Sequence, residues 1–151
     1  MAHDIEMKIG HVGLNVTDLE RSRRFYQAAF GLDILGLSEE DGRRYALLGA
    51  GGAPVLTLWQ QSDGAFEAGR PGLHHLAFRV ATIGDVERVQ ARLRDLGARF
   101  FYDGIVAHRE GAVSGGVYFA DPDGIRLEVF APAGAESCAA PPTDGPACGF
   151  F

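Results

Sequence analysis

His11, His75 and Glu128 are the side chains of this sequence whose types and positions suit metal chemistry. Two neutral imidazoles and one carboxylate bind Fe(II), Mn(II), Zn(II), Ni(II) or Co(II), and leave coordination positions open for substrate, water or oxygen. Taken singly, each has a plainer role. A strand histidine is usually solvated or hydrogen-bonded, and Glu128 stands two residues from Arg126. Strand alternation is what sets the three apart. Around residue 11, Val12, Leu14 and Val16 share one face, which leaves His11, Gly13 and Asn15 on the other. Around residue 75, Leu76, Phe78 and Val80 form the apolar face, so His75, Ala77 and Arg79 lie opposite and His75 is selected over His74. In the last apolar run Leu127 and Val129 face a helix, while Arg126, Glu128 and Phe130 face away. The expectation is one divalent metal, held by His11, His75 and Glu128.

The elements that must position these residues come as an internal repeat. Residues 9–31 and 73–97 each read as a histidine early in an alternating strand, then a helix, then a glycine stop. In the first helix Thr17 and Glu20 have capping-box spacing, and Leu19, Phe25, Tyr26, Ala29 and Phe30 make a broad apolar stripe. Gly31 closes it. The second helix carries Val86, Val89, Leu93 and Leu96 on one face and closes at Gly97. Strand-like runs follow at about 32–37, 44–48 and 55–60, and again at 99–102, 116–120 and 125–131, with Asp121-Pro122-Asp123-Gly124 a strong turn between the last two. Each half is therefore β-α-β-β-β, an α+β class. We expect one domain over 1–132, with modules at about 8–61 and 72–132 joined by a linker at 62–71. A Pro/Gly/Ala-rich tail over 133–151 is expected to be flexible, and ends in an apolar pair, Phe150 and Phe151.

Composition excludes several classes. At 151 residues the chain has room for one sizeable core. Its net charge of −6 disfavours nucleic acid, which demands basic surface. No long apolar run supports a membrane span, and the start, Met-Ala-His-Asp-Ile-Glu, lacks the pattern of a secretory signal. The default expectation is a cytoplasmic protein with a small-molecule partner. Cys138 and Cys148 are the only cysteines, and both are expected as free thiols.

From about residue 8 to 132 the chain resembles the vicinal oxygen chelate superfamily, which includes glyoxalase I, fosfomycin-resistance transferases, bleomycin-type binding proteins and extradiol ring-cleaving dioxygenases. The resemblance rests on Gly10-His11-Val12-Gly13-Leu14-Asn15-Val16, on Phe25-Tyr26, and on His75-Leu76-Ala77-Phe78-Arg79-Val80. Its most specific piece runs from Tyr118 through Asp121-Pro122-Asp123-Gly124 to Glu128. The resemblance implies two modules forming a half-open barrel around the metal, a homodimer, and chemistry on vicinal substrate oxygens.

Departures narrow the choice of reaction. Glyoxalase I carries a fourth, carboxylate ligand in the last strand of its first module, where alignment of 55–59 with 126–130 puts Thr57 opposite Glu128. Fosfomycin transferases have a threonine two residues after the first histidine, where this chain has Gly13. The C-terminal third is more like the extradiol dioxygenases, which place a histidine ahead of an apolar-Tyr pair, then Asp-Pro-x-Gly and the ligand glutamate. Here His108 precedes Val117-Tyr118, Asp121-Pro122-Asp123-Gly124 and Glu128, after a somewhat longer gap and with one pair of modules instead of two. On that resemblance His108 is the acid–base group and Tyr118 binds a substrate oxygen. Trp59 and Phe130 offer apolar walls, and Asn15, Thr57 and Arg79 complete the groove. The leading expectation is an extradiol-type dioxygenase. The alternatives are a glyoxalase-like lyase or isomerase, with His108 as base, and a resistance-type binding protein without catalysis.

Overall fold

The strand that opens each copy of the repeat pairs in parallel with the strand that closes it, and a helix makes the crossover between them. The computed structural model describes residues 5–142 and 144–149, so Phe150 and Phe151 lie outside the described residues. The chain divides into two units, Met1–Gly64 and Ala65–Phe151, and the division falls inside the expected linker. Among the described residues no helix is long and apolar enough to cross a membrane.

In the first unit β1 (Val12–Val16) leads into α1 (Leu19–Phe30), then β2 (Asp33–Ser38), β3 (Tyr45–Ala50) and β4 (Ala53–Gln60). The sheet order is β1-β4-β3-β2. Helix α1 lies against β3 and β4. Leu19, Phe25, Tyr26 and Ala29 are buried on it, beside Leu14, Val16, Leu48, Leu56 and Leu58 of the strands, so the helical stripe is the core face. Gly31 ends the helix at φ 67, where an L side chain would be strained. The start differs from expectation. Asp18, not Thr17, is the N-cap, accepting from Arg21 N at 3.0 Å. Glu20 turns outward to Arg23 and Arg24. A carboxylate one residue later than Thr17 caps the same free N–H groups, and Thr17 Oγ1 accepts from the Arg21 guanidinium instead.

The second unit holds β5 (Leu76–Arg79), α2 (Ile83–Asp95), β6 (Arg99–Phe100), β7 (Val106–Ala107), β8 (Gly115–Ala120) and β9 (Arg126–Ala131). The order is β5-β9-β8-β6, with β7 also on β8. Helix α2 buries Val86, Val89 and Leu93 toward β8 and β9. Leu96, expected on that stripe, is the C-cap residue and is 40% exposed, because the helix has already ended at Asp95. The two-residue strand β7 went unread in the sequence, being too short to show a period. In the tail that composition led us to expect as flexible, some of the described residues are packed. Ala135, Pro141 and Ala147 are buried, Ala135 N donates to Val113 O at 2.9 Å, and Ala139 bridges to Val106. Both cysteines are free thiols.

Helix α2 begins with a reciprocal capping box: Thr82 Oγ1 accepts from Asp85 N at 3.2 Å and Asp85 Oδ2 accepts from Thr82 N at 3.0 Å. Thr82→Ala should lower unfolding free energy by about 1 kcal/mol in a urea titration; an unchanged midpoint would show that the cap contributes nothing. The hydrogen bonds from the Thr82 side chain and backbone, with Arg88 beside them, hold the Asp85 carboxyl below its ordinary value. A carboxyl depressed by folding adds stability above its unfolded pKa of about 3.9, and that stability is lost as pH falls through the folded value. Between pH 5 and pH 2 the thermal midpoint of the wild type should therefore fall further than that of Asp85→Asn.

Candidate functional site

Glu128 is 3% exposed, and an unpartnered carboxylate buried to that degree is costly. It sits mid-strand in β9, between Ala77 of β5 and Tyr118 of β8 in the ladder. Three side chains answer it. His108 Nε2 lies 2.6 Å from Oε1, the Tyr118 hydroxyl donates to the same oxygen at 3.1 Å, and His75 Nε2 lies 3.4 Å from Oε2. Burial, and then the Glu128 charge, push the Tyr118 phenol far above its usual range, so it stays a neutral donor.

Each of these residues is itself positioned. The β7–β8 hairpin continues past Ala107↔Gly115 to a His108 N donation to Ser114 O at 3.0 Å. Across the same turn Ser114 Oγ meets His108 Nδ1 at 2.7 Å. The imidazole is thus held at both nitrogens, with its ring against Phe130 at 5.1 Å between centroids. On the other side His74 Nδ1 and His75 Nδ1 are 2.8 Å apart, and Arg126 Nε donates to His74 O at 2.9 Å. Desolvation lowers the His75 pKa against the opposing pull of Glu128, favouring the neutral ring. Whichever of the two rings donates across the Nδ1 pair sets whether His75 Nε2 faces Glu128 Oε2 with an N–H or with a lone pair, and the lone-pair tautomer is the one that could share a cation with the carboxylate. Ligands that share one cation at about 2.1 Å each stand roughly 3–3.5 Å apart, so this pair fits.

His11 belongs to the first unit, where it immediately precedes β1 and is exposed. Its place in the repeat is equivalent to that of His75. Gly13, two residues on, pairs with Thr57, as Ala77, two residues after His75, pairs with Glu128. Thr57 is therefore the register equivalent of Glu128, and it is nearly buried. Among the described residues, no group of three or more His, Cys, Asp or Glu side chains is gathered so as to hold a metal ion.

The expected groove residues divide. Phe130 joins the Glu128 cluster through His108, and Arg79 pairs with Phe130 along β5–β9 while remaining exposed. In the first unit Trp59 is 37% exposed and packs on Tyr45 at 4.9 Å. Asn15 Oδ1 accepts from Gln61 N at 3.0 Å, a structural use of its amide. Sequence reasoning set His74 aside in favour of His75, and missed Ser114 and Tyr102. Only Ser114 had a readable signal, six residues past His108 across a turn containing Gly111.

A profile of the Glyoxalase/Bleomycin resistance protein/Dioxygenase superfamily matches residues 8–129. The catechol-2,3-dioxygenase of Bacillus subtilis is 31% identical over 82% of this chain, which spans only 41% of that longer protein. A trivalent organoarsenical cleaving enzyme of Bacillus sp. is 31% identical over 82% of this chain and 73% of its own length. The crystal structure of a glyoxylase/bleomycin resistance protein/dioxygenase domain from Frankia sp. superposes with a TM-score of 0.70 at 28% identity, covering 84% of this chain and 98% of that one. With two α+β units in the same strand order and a profile spanning both, the chain belongs to the Glyoxalase/Bleomycin resistance protein/Dioxygenase superfamily.

Proposed function

We propose that the protein is a divalent-metal-dependent oxygenase of the extradiol type, acting on a small substrate with vicinal oxygens. The observation that carries this reading is the convergence of His108, Tyr118 and His75 on the buried Glu128. His75 Nε2 and Glu128 Oε2 would be the ligands that the second unit supplies, and His11, the proposed third ligand, has the equivalent place in the repeat. A divalent cation bound by these residues would supply Lewis-acid charge to the substrate oxygens and, as Fe(II), one-electron chemistry.

The chain's own groups do the rest. His108 Nε2, beside Glu128 Oε1 and with Ser114 Oγ steadying Nδ1, would accept a proton from a substrate hydroxyl. Tyr118, held neutral, donates to a substrate oxygen in place of Glu128 Oε1. Phe130 excludes water from one side of His108. Threonine at position 57, where a glyoxalase-like site needs a carboxylate, favours oxygenation over the lyase or isomerase reading. The names of the two relatives suggest catechols and trivalent organoarsenicals as substrate classes. We extend the proposal to a homodimer, as the family resemblance implies.

Protein loaded anaerobically with Fe(II) should consume oxygen with at least one member of a panel of catechols and a trivalent organoarsenical. Absence of uptake across the panel by iron-loaded protein would overturn the oxygenase reading. His75→Ala and Glu128→Gln should each lose stoichiometric metal when measured by elemental analysis, and metal content equal to wild type would remove both from the ligand set. His108→Gln should keep its metal and lose about 10²–10⁴-fold in kcat, the usual weight of one acid–base group.

A further inference from the structure

We propose that residues 139–142 and 144–149 form a clasp that seats His108 and the Tyr118 ring against Glu128, and that Tyr102 is the positioning residue that closes it. The backbone of Ala147 is the catch. Its N–H donates to His108 O at 2.8 Å, and its carbonyl accepts from the Tyr102 hydroxyl at 2.6 Å. Further back, Ala107 N donates to Ala139 O at 2.9 Å, so the clasp holds the residue before His108 as well. The Tyr102 ring stands edge-on to Tyr118 at 5.2 Å and 86°. Beneath it Val106, Tyr118 and Ala147 are buried together, with Cys148 packed against them. One tail segment therefore grips the backbone of the residue whose imidazole meets Glu128, and covers the ring whose hydroxyl meets the same oxygen.

Room for the tail is built into β8. A Cβ on Gly115 would lie 2.5 Å from Val106 O and 2.7 Å from the Ala135 methyl, so a side chain there would part both β7 and the tail from the strand. Local tethering of this kind makes a mobile hairpin into a fixed platform. Five residues lie between His108 and Ser114, and a turn of that length would otherwise open readily.

The contacts stand without reference to any reaction; their consequence for catalysis rests on the function proposed above. Cys148 reports the clasp directly once Cys138 is removed. In a Cys138→Ser background, Cys148 of the folded protein should react with 5,5′-dithiobis(2-nitrobenzoate) at least about 10-fold more slowly than in urea, because packing restricts both access and thiolate formation. Adding Tyr102→Phe, which removes one hydroxyl and keeps the ring, should raise the native rate roughly 3- to 10-fold, the effect of one hydrogen bond on a local opening. In the same variant the Ala147 and Ala107 amides should exchange faster while the Val129 amide in β9 keeps its protection, and the His108 ring resonances should shift. A purely structural role for Tyr102 would speed exchange at all three amides together. The proposal is overturned if Cys148 reacts as fast in the folded protein as in urea, or if Tyr102→Phe leaves its rate, the Ala147 amide and the His108 resonances unchanged. Failure of the metal or oxygen tests would leave each of these outcomes intact, so the two readings fall separately.

Discussion

A carboxylate in a protein interior must be matched or neutralised, and at Glu128 the match comes from three separate stretches of chain: the residue before β5, the residue after β7, and the middle of β8. That requirement constrains the whole second sheet. A one-residue slip of β9 would turn Glu128 toward α2 and bring Leu127 or Val129 out to meet the imidazoles. Each route by which the slip would be stabilised is closed, because Leu127 and Val129 are fully buried on the helical side. Hydrophobic burial of one face and polar matching on the other thus select the same register.

The first unit shows what the same architecture does without the carboxylate. Gly13↔Thr57 occupies the ladder position that Ala77↔Glu128 occupies in the second, and the two strand orders correspond: β1-β4-β3-β2 and β5-β9-β8-β6. Threonine can be nearly buried at little cost, since its hydroxyl asks for one or two partners and no counter-charge. No second histidine, tyrosine or tail is then needed to satisfy it. Among the described residues, the buried carboxyl side chains, Asp121 and Glu128, both lie in the second unit.

Residues with no obvious role in the sequence carry much of the second unit's order. Ser114 holds the far nitrogen of His108, and Ala147 bonds both His108 and Tyr102 through its backbone alone. Backbone groups have no residue-type signature, so an alanine in a Pro/Gly/Ala-rich stretch looks the same whether it is docked or loose. The misplaced cap at Thr17 has a related origin. Threonine and aspartate are both good N-caps, and which one is used depends on where the chain leaves β1.

Periodicity carried the reading of the elements: the repeat, both helices, the approximate positions of the strands other than β7, and the face on which His75 and Glu128 would lie are all one-dimensional patterns of apolar residues. The same pattern put Thr57 level with Glu128, as the paired ladders do. Tertiary structure alone decided which groups touch. That His108 meets Glu128 at 2.6 Å across twenty residues, that Tyr118 shares the same oxygen, and that the tail returns to hold them are matters of three-dimensional approach. Local sequence encodes which face a side chain takes, because that follows from backbone geometry over a few residues. It does not encode distances between segments, which emerge only when every segment packs at once.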